Sequence, residues 1–162
     1  TVETLKTLQI SKKTAKKIFK DAPEYLREIL ISTFGADTFK SNVIDRIKTF
    51  EDAYEEADKK TRDEFDQQIH PNLSEHIVAR LKLILIAKVL RGEWEPDFSN
   101  SNQQKWIPIF KFSAGSGFYF SFSGYYSDRT NATVGSRLCF PSEELSDYFG
   151  NQFIELHRAH LT

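Results

Sequence analysis

The sequence predicts an α+β fold: a helical N-terminal region, a long central helix, a three-stranded antiparallel meander and a C-terminal helix packed on one sheet face. Three observations predict it. Nine aromatic residues fall between Trp106 and Tyr126, and Phe118, Phe120 and Phe122 alternate with Tyr119, Ser121 and Ser123, the period of a strand with one dry and one wet face. Leu73 to Arg91 is apolar nearly all round between Ile77 and Leu90, as in a helix covered on more than one side. Short turn-like links separate the aromatic stretches, which favours antiparallel neighbours.

Taken in order, Ser11 is placed to cap a helix running through Phe19, with Ala15, Ile18 and Phe19 on one side and lysines on the rest. Asp21, Pro23 and Glu24 signal a second start, Tyr25, Leu26, Ile29, Leu30 and Phe34 form its stripe, and Gly35 is placed to end it. Thr49 opens a third helix with Phe50, Ala53, Tyr54 and Ala57 on one face. A polar hinge is expected from Asp58 to Arg62, followed by a short helix capped by Thr61 and Glu64 and running through Ile69. His70-Pro71-Asn72 breaks the chain, so the organisation reads as a helical region 1–70 and an α+β domain 71–162, or one continuous domain.

Gly92 stops the central helix, and a loop follows in which Trp94 and Phe98 are expected to act as pins. Strands are expected over 106–113, 118–125 and 134–140, joined by turns at 114–117 and 127–133, with Pro108 placing the first at an edge. Ser142 with Glu143 and Glu144 starts the last helix, whose stripe is Leu145, Phe149, Phe153 and Leu156, with Gly150 as an interior weakness. The expected packed face is Phe110, Phe112, Phe118, Phe120, Phe122, Leu138 and Phe140.

A chain of 162 residues, 40% apolar and 28% charged, suits one soluble domain, alone or with a small helical appendage. It has no run of about eighteen apolar residues, so no membrane partner is expected. The opening Thr1-Val2-Glu3 lacks a signal-peptide pattern and a starting Met, which reads as a trimmed first residue. The single Cys139 excludes an intrachain disulfide and fits a cytoplasmic location. The net charge of −1 hides a gradient: six lysines against Glu3 in residues 1–20, then thirteen acids against seven bases in residues 21–70. A basic helix beside an acidic helical segment is the simplest reading, and only that helix offers nucleic acid a basic face.

The outer sheet face is the first candidate site. Tyr119, Ser121, Ser123 and Tyr125 are expected to point away from the phenyl layer, with Arg137 beside them and Trp94 in the neighbouring loop; rings near a guanidinium suit bases, sugars or a protein partner. Tyr and Ser are equally what any half-wet strand carries. The second candidate is the lysine helix, where Lys12, Lys13, Lys16, Lys17 and Lys20 would meet phosphates without reading bases. Catalytic constellations find no support. Cys139 lies in an expected strand between Leu138 and Phe140, and His157 and His160 have metal spacing without a third ligand other than Glu155. Ala114 to Gly117 joins two strands and opens no helix, so it is no phosphate loop. The expectation is a non-enzymatic binding module that needs no cofactor and no metal, with nucleic-acid binding as the alternative and the oligomeric state left open.

Three blocks carry a resemblance: Arg46 to Ala53, Gly92 to Pro96, and Gly135 to Phe140 continuing through Asn151-Gln152-Phe153. They resemble, in the same order and over about residues 9–160, a group of small uncharacterised bacterial proteins linked to prophages and mobile elements. What the resemblance implies is a setting, an accessory role in phage or mobile-element biology inside a bacterial cell, and no catalytic residues.

Overall fold

The computed structural model describes residues 8–40, 42–126 and 136–162. Contacts divide the chain into two units, 1–46 and 47–162. The break expected at His70-Pro71-Asn72 therefore falls inside the second unit.

In the first unit, α1 (Lys12–Phe19) is capped by Ser11, whose hydroxyl accepts from the Thr14 N–H, and α2 (Glu24–Phe34) ends at Gly35 in a positive-φ conformation. The cap expected at Asp21 is not used; Pro23 occupies the N-cap position of α2. A 3-10 turn over Ala36–Phe39 and a one-turn helix α3 (Val43–Arg46), neither expected, complete the unit. Phe39 stacks on Phe19 with ring centroids 4.2 Å apart, which holds α1 against the turn.

The second unit is built around α6 (Glu75–Arg91). Its Leu83, Leu85, Ile86, Ala87 and Leu90 are buried because α4 (Phe50–Glu56), α5 (Lys59–Gln68) and α8 (Ile154–Leu161) all pack on it. Thr49 and Asp52 form a reciprocal capping box on α4. The hinge expected from Asp58 to Arg62 is helical instead: Asp58 is the N-cap and its carboxylate accepts from the Thr61 N–H at 2.7 Å. That hydrogen bond holds the Asp58 carboxyl below its ordinary range.

Among the described residues the sheet has two strands, not three. β1 (Lys105–Ser113) and β2 (Gly117–Tyr126) form an antiparallel hairpin. The third strand expected over 134–140 lies partly outside the described residues, as does the turn at 127–133. Its described part is a 3-10 turn, Ser136–Leu138, and a single bridge from Phe140 to Trp106. One feature stops the ladder there. The Trp106 N–H donates to the Phe140 carbonyl at 2.9 Å and the Phe140 N–H to the Trp106 carbonyl at 2.8 Å. The next such pair along this edge would join residues 108 and 138, and Pro108 has no N–H to give. Arg91 takes the carbonyls of the departing segment, with Nη1 donating to Arg137 O at 2.7 Å and to Cys139 O at 3.4 Å.

The last helix is two helices, α7 (Glu143–Gln152) and α8, broken at Phe153. Phe140 and Phe149 are fully buried with ring centroids 4.8 Å apart and planes tilted by 51°, and the His157 ring lies 4.6 Å from Phe149 and 4.5 Å from Phe110. Each such phenyl contributes roughly 1.5–3 kcal/mol through burial. The segment leading into α4 is tied to α7 by Tyr148, which donates to Ile47 O at 2.6 Å, and by Gln152, which donates to Lys48 O at 2.8 Å.

Gly150 is a packing position. A Cβ there would sit 2.6 Å from Phe120 Cδ2 and 2.9 Å from Pro108 Cβ, well inside the carbon contact distance of about 3.5–4.0 Å. One turn earlier, Ser146 Oγ lies 2.7 Å from Ser123 Oγ, and both residues are buried. Small residues at 146 and 150 thus let α7 lie directly on the hairpin. Gly150→Ala gains about 1 kcal/mol of helix propensity but overpacks against a proline ring, which typically costs about 1–3 kcal/mol. The expected outcome in urea unfolding is a net loss of stability; an alanine variant more stable than wild type would reject this packing.

Candidate functional site

The hairpin register decides which side chains reach solvent. Phe112 pairs with Phe118, Lys111 with Tyr119 and Phe110 with Phe120, but Ile109 pairs with Phe122, leaving Ser121 as an extra residue in a β-bulge. Beyond the bulge the alternation of β2 inverts. Phe118 is buried and Phe120 packs over Gly150, as the alternation predicts. Phe122, expected inside, is 50% exposed, and Ser123, expected outside, is 7% exposed and hydrogen-bonded to Ser146. Phe112, also expected inside, is exposed at the end of β1.

The outer face is therefore made of Ile109 and Lys111 from β1 with Tyr119 and Phe122 from β2. Lys111 Nζ stands 5.8 Å from the Phe122 ring centroid, within cation–π range. Gly124 leaves room for Ile109, whose Cδ1 lies 3.0 Å from where a Cβ at 124 would be. Tyr119 is exposed on this face, and Ser121 is half-buried in the bulge. Tyr125 is exposed but faces Trp106, its cross-strand partner, with ring centroids 5.1 Å apart.

The other expected site residues lie elsewhere. Arg137 belongs to the 3-10 turn and lines a cavity of about 370 Å³ with Lys88, Arg91, Glu64 and Glu95. Trp94 is half-buried in the loop after α6, and Phe98 does act as a pin, with the buried Lys105 Nζ 5.5 Å above its ring and donating to the carbonyls of Asn100 and Gln103. On α1, Lys13, Lys17 and Lys20 are exposed, Lys12 and Lys16 half-buried, and Ala15 buried, so the lysines sit around a short apolar stripe as the spacing predicts.

Phe122 was not legible as a site residue, since its place depends on the bulge and a run of alternating phenyl groups carries no mark of it. Ile109 and Lys111 alternate with Phe110 and Phe112, a signal that places them on the outer face.

Cys139 is buried, and that burial pushes its thiol up, away from the thiolate a nucleophile requires. Among the described residues no group of three or more His, Cys, Asp or Glu could hold a metal ion. No helix among them is long and apolar enough to cross a membrane. His157 is buried beneath Phe149, with Nε2 3.3 Å from the Phe149 carbonyl. Because a carbonyl only accepts, Nε2 carries the proton of the neutral ring.

Desolvation lowers the His157 pKa from 6.5 to about 4. The native state thus binds fewer protons than the unfolded chain between these values, and stability rises with pH across that window. The contribution is fully present above about pH 6.5 and is lost as pH falls toward about 4, a difference on the order of 3 kcal/mol. His160 is shifted in the same direction, chiefly by burial, and adds to the slope. The expected outcome for His157→Phe is a shallower loss of urea stability on acidification than in wild type; equal slopes would contradict a buried neutral ring.

Compared with known proteins, the chain matches no family model, no curated protein and no solved structure.

Proposed function

We propose that the chain is a non-enzymatic binding module that docks a protein partner on the outer face of its hairpin, through Tyr119 and Phe122 with Ile109 and Lys111 around them. One observation carries the reading: the bulge at Ser121 turns a phenyl ring, Phe122, outward when strict alternation would bury it. Keeping a large apolar ring in water offers the isolated chain nothing, whereas an aromatic anchor flanked by a cation is the composition of a protein-binding hot spot. A protein is favoured over nucleic acid because, among the described residues, the one cation placed on this face is Lys111, and phosphate binding draws its affinity from several. The resemblance of three sequence blocks to prophage- and mobile-element-linked proteins supports a setting in the bacterial cytoplasm, as an accessory to those elements.

The test is a photo-crosslinking amino acid placed at 122 and, as control, at Lys59 on the exposed side of α5, in cells of the native host. The expected result is a discrete adduct from position 122 that disappears in the Tyr119→Ala background and has no counterpart from position 59. Indistinguishable patterns from the two positions would overturn the reading.

A further inference from the structure

A second site, independent of the hairpin's outer face, lies where α6, β1 and α8 meet. A cavity of about 150 Å³ opens there, walled by Ile107, Pro108, Phe110 and Leu138, with Arg80 and His160 as its polar lining and His157 on its floor. A volume of about 150 Å³ is that of a cavity able to take one benzene-sized body.

The polar lining is electrostatically one-sided. Arg80 Nη1 lies 3.3 Å from His160 Nε2. A guanidinium can only donate, so His160 Nε2 accepts and the ring's proton sits on Nδ1. That Nδ1 is buried and closes no hydrogen bond, although the His76 carbonyl lies near enough to favour a protonated ring. The basic side chains that act on His160, first Arg80 and then His76, oppose its protonation. No carboxylate of the described residues pairs with Arg80. His157 at the floor is held uncharged by its burial. A half-buried guanidinium beside an apolar cavity, with four of its five N–H donors not committed to described protein acceptors, is arranged to receive an anion.

We propose that this cavity binds a small carboxylate carried on an apolar ring or branched chain of benzene size, with the carboxylate on the Arg80 fork and the apolar body against Phe110, Ile107 and Leu138. The two halves of the site make separate demands. An anion without the body leaves the apolar walls unfilled, and a body without the charge leaves the guanidinium with no new partner.

The experiment is a titration of the isotope-labelled full chain, followed by amide NMR shifts, with sodium benzoate, benzyl alcohol and acetate as probes. Benzoate should give saturable shifts at millimolar concentration around Ile107, Phe110 and Leu138, the range expected of a ligand this small. Benzyl alcohol and acetate should each bind at least about tenfold more weakly, the loss expected for a charge-assisted pair or for the apolar contacts. Arg80→Gln should bring benzoate down to the level of benzyl alcohol. No saturable shifts with benzoate, or equal affinity for benzoate and benzyl alcohol, would overturn the proposal and leave the cavity a packing void. The comparison of probes on the wild-type chain stands even if Arg80→Gln does not fold. Failure here would leave the hairpin surface untouched, since none of these residues belongs to it.

Discussion

The close seat of α7 on the hairpin is the constraint that the rest of the second unit obeys. Gly150 brings the helix backbone down onto Phe120 and Pro108, and Ser146 meets Ser123 with a hydroxyl pair in a dry interface. A buried hydroxyl without a partner costs about 1–3 kcal/mol, so Ser146 favours a small polar residue opposite it. Strict alternation after Phe118 and Phe120 would instead bring Phe122 to that place, and a phenyl group would lift α7 off the sheet. The extra residue at Ser121 resolves the conflict. It lets Ser123 turn in and sends Phe122 out.

A two-stranded hairpin is at best marginally stable by itself, and this one draws its stability from helices. α7 covers both strands and α8 reaches β2, with Phe110, Phe149 and His157 as the rings in between. The far edge of β1 takes one bridge from Phe140 and then stops at Pro108, while Arg91 holds the Arg137 and Cys139 carbonyls, which face away from β1. The aromatic content that suggests a larger sheet goes into this helix-to-hairpin packing and onto the surface.

Most signals that act within a few residues were legible. Ser11, Thr49, Ser142, Gly35 and Gly92 cap or end the helices as their chemistry predicts. Asp58 was misread because a run of charged residues looks like a hinge, when it is an N-cap followed by a solvated helix. The third strand was misread for a longer-range reason: Leu138-Cys139-Phe140 has strand composition, but its pairing depends on an N–H that residue 108 lacks. The bulge was invisible for the same kind of reason. Its cause sits on α7, more than twenty residues along the chain, in Ser146 and Gly150. Of the expected outer surface, Tyr119 holds its place; Ser123 is buried, Tyr125 pairs with Trp106, and Arg137 lines a separate cavity. The partner-binding reading therefore moves from a Tyr and Ser strip to Tyr119 and Phe122.

The proposed partner surface traces back to that seat, because the bulge creates the outward ring of the hairpin. The most direct measurement is thiol labelling of two single-cysteine variants, Phe122→Cys and Ser123→Cys, each made in a Cys139→Ala background. The account predicts fast modification at 122 and strong protection at 123 under native conditions. Protection at 122 with fast modification at 123 would restore the unbroken alternation and contradict the seat of α7 described above.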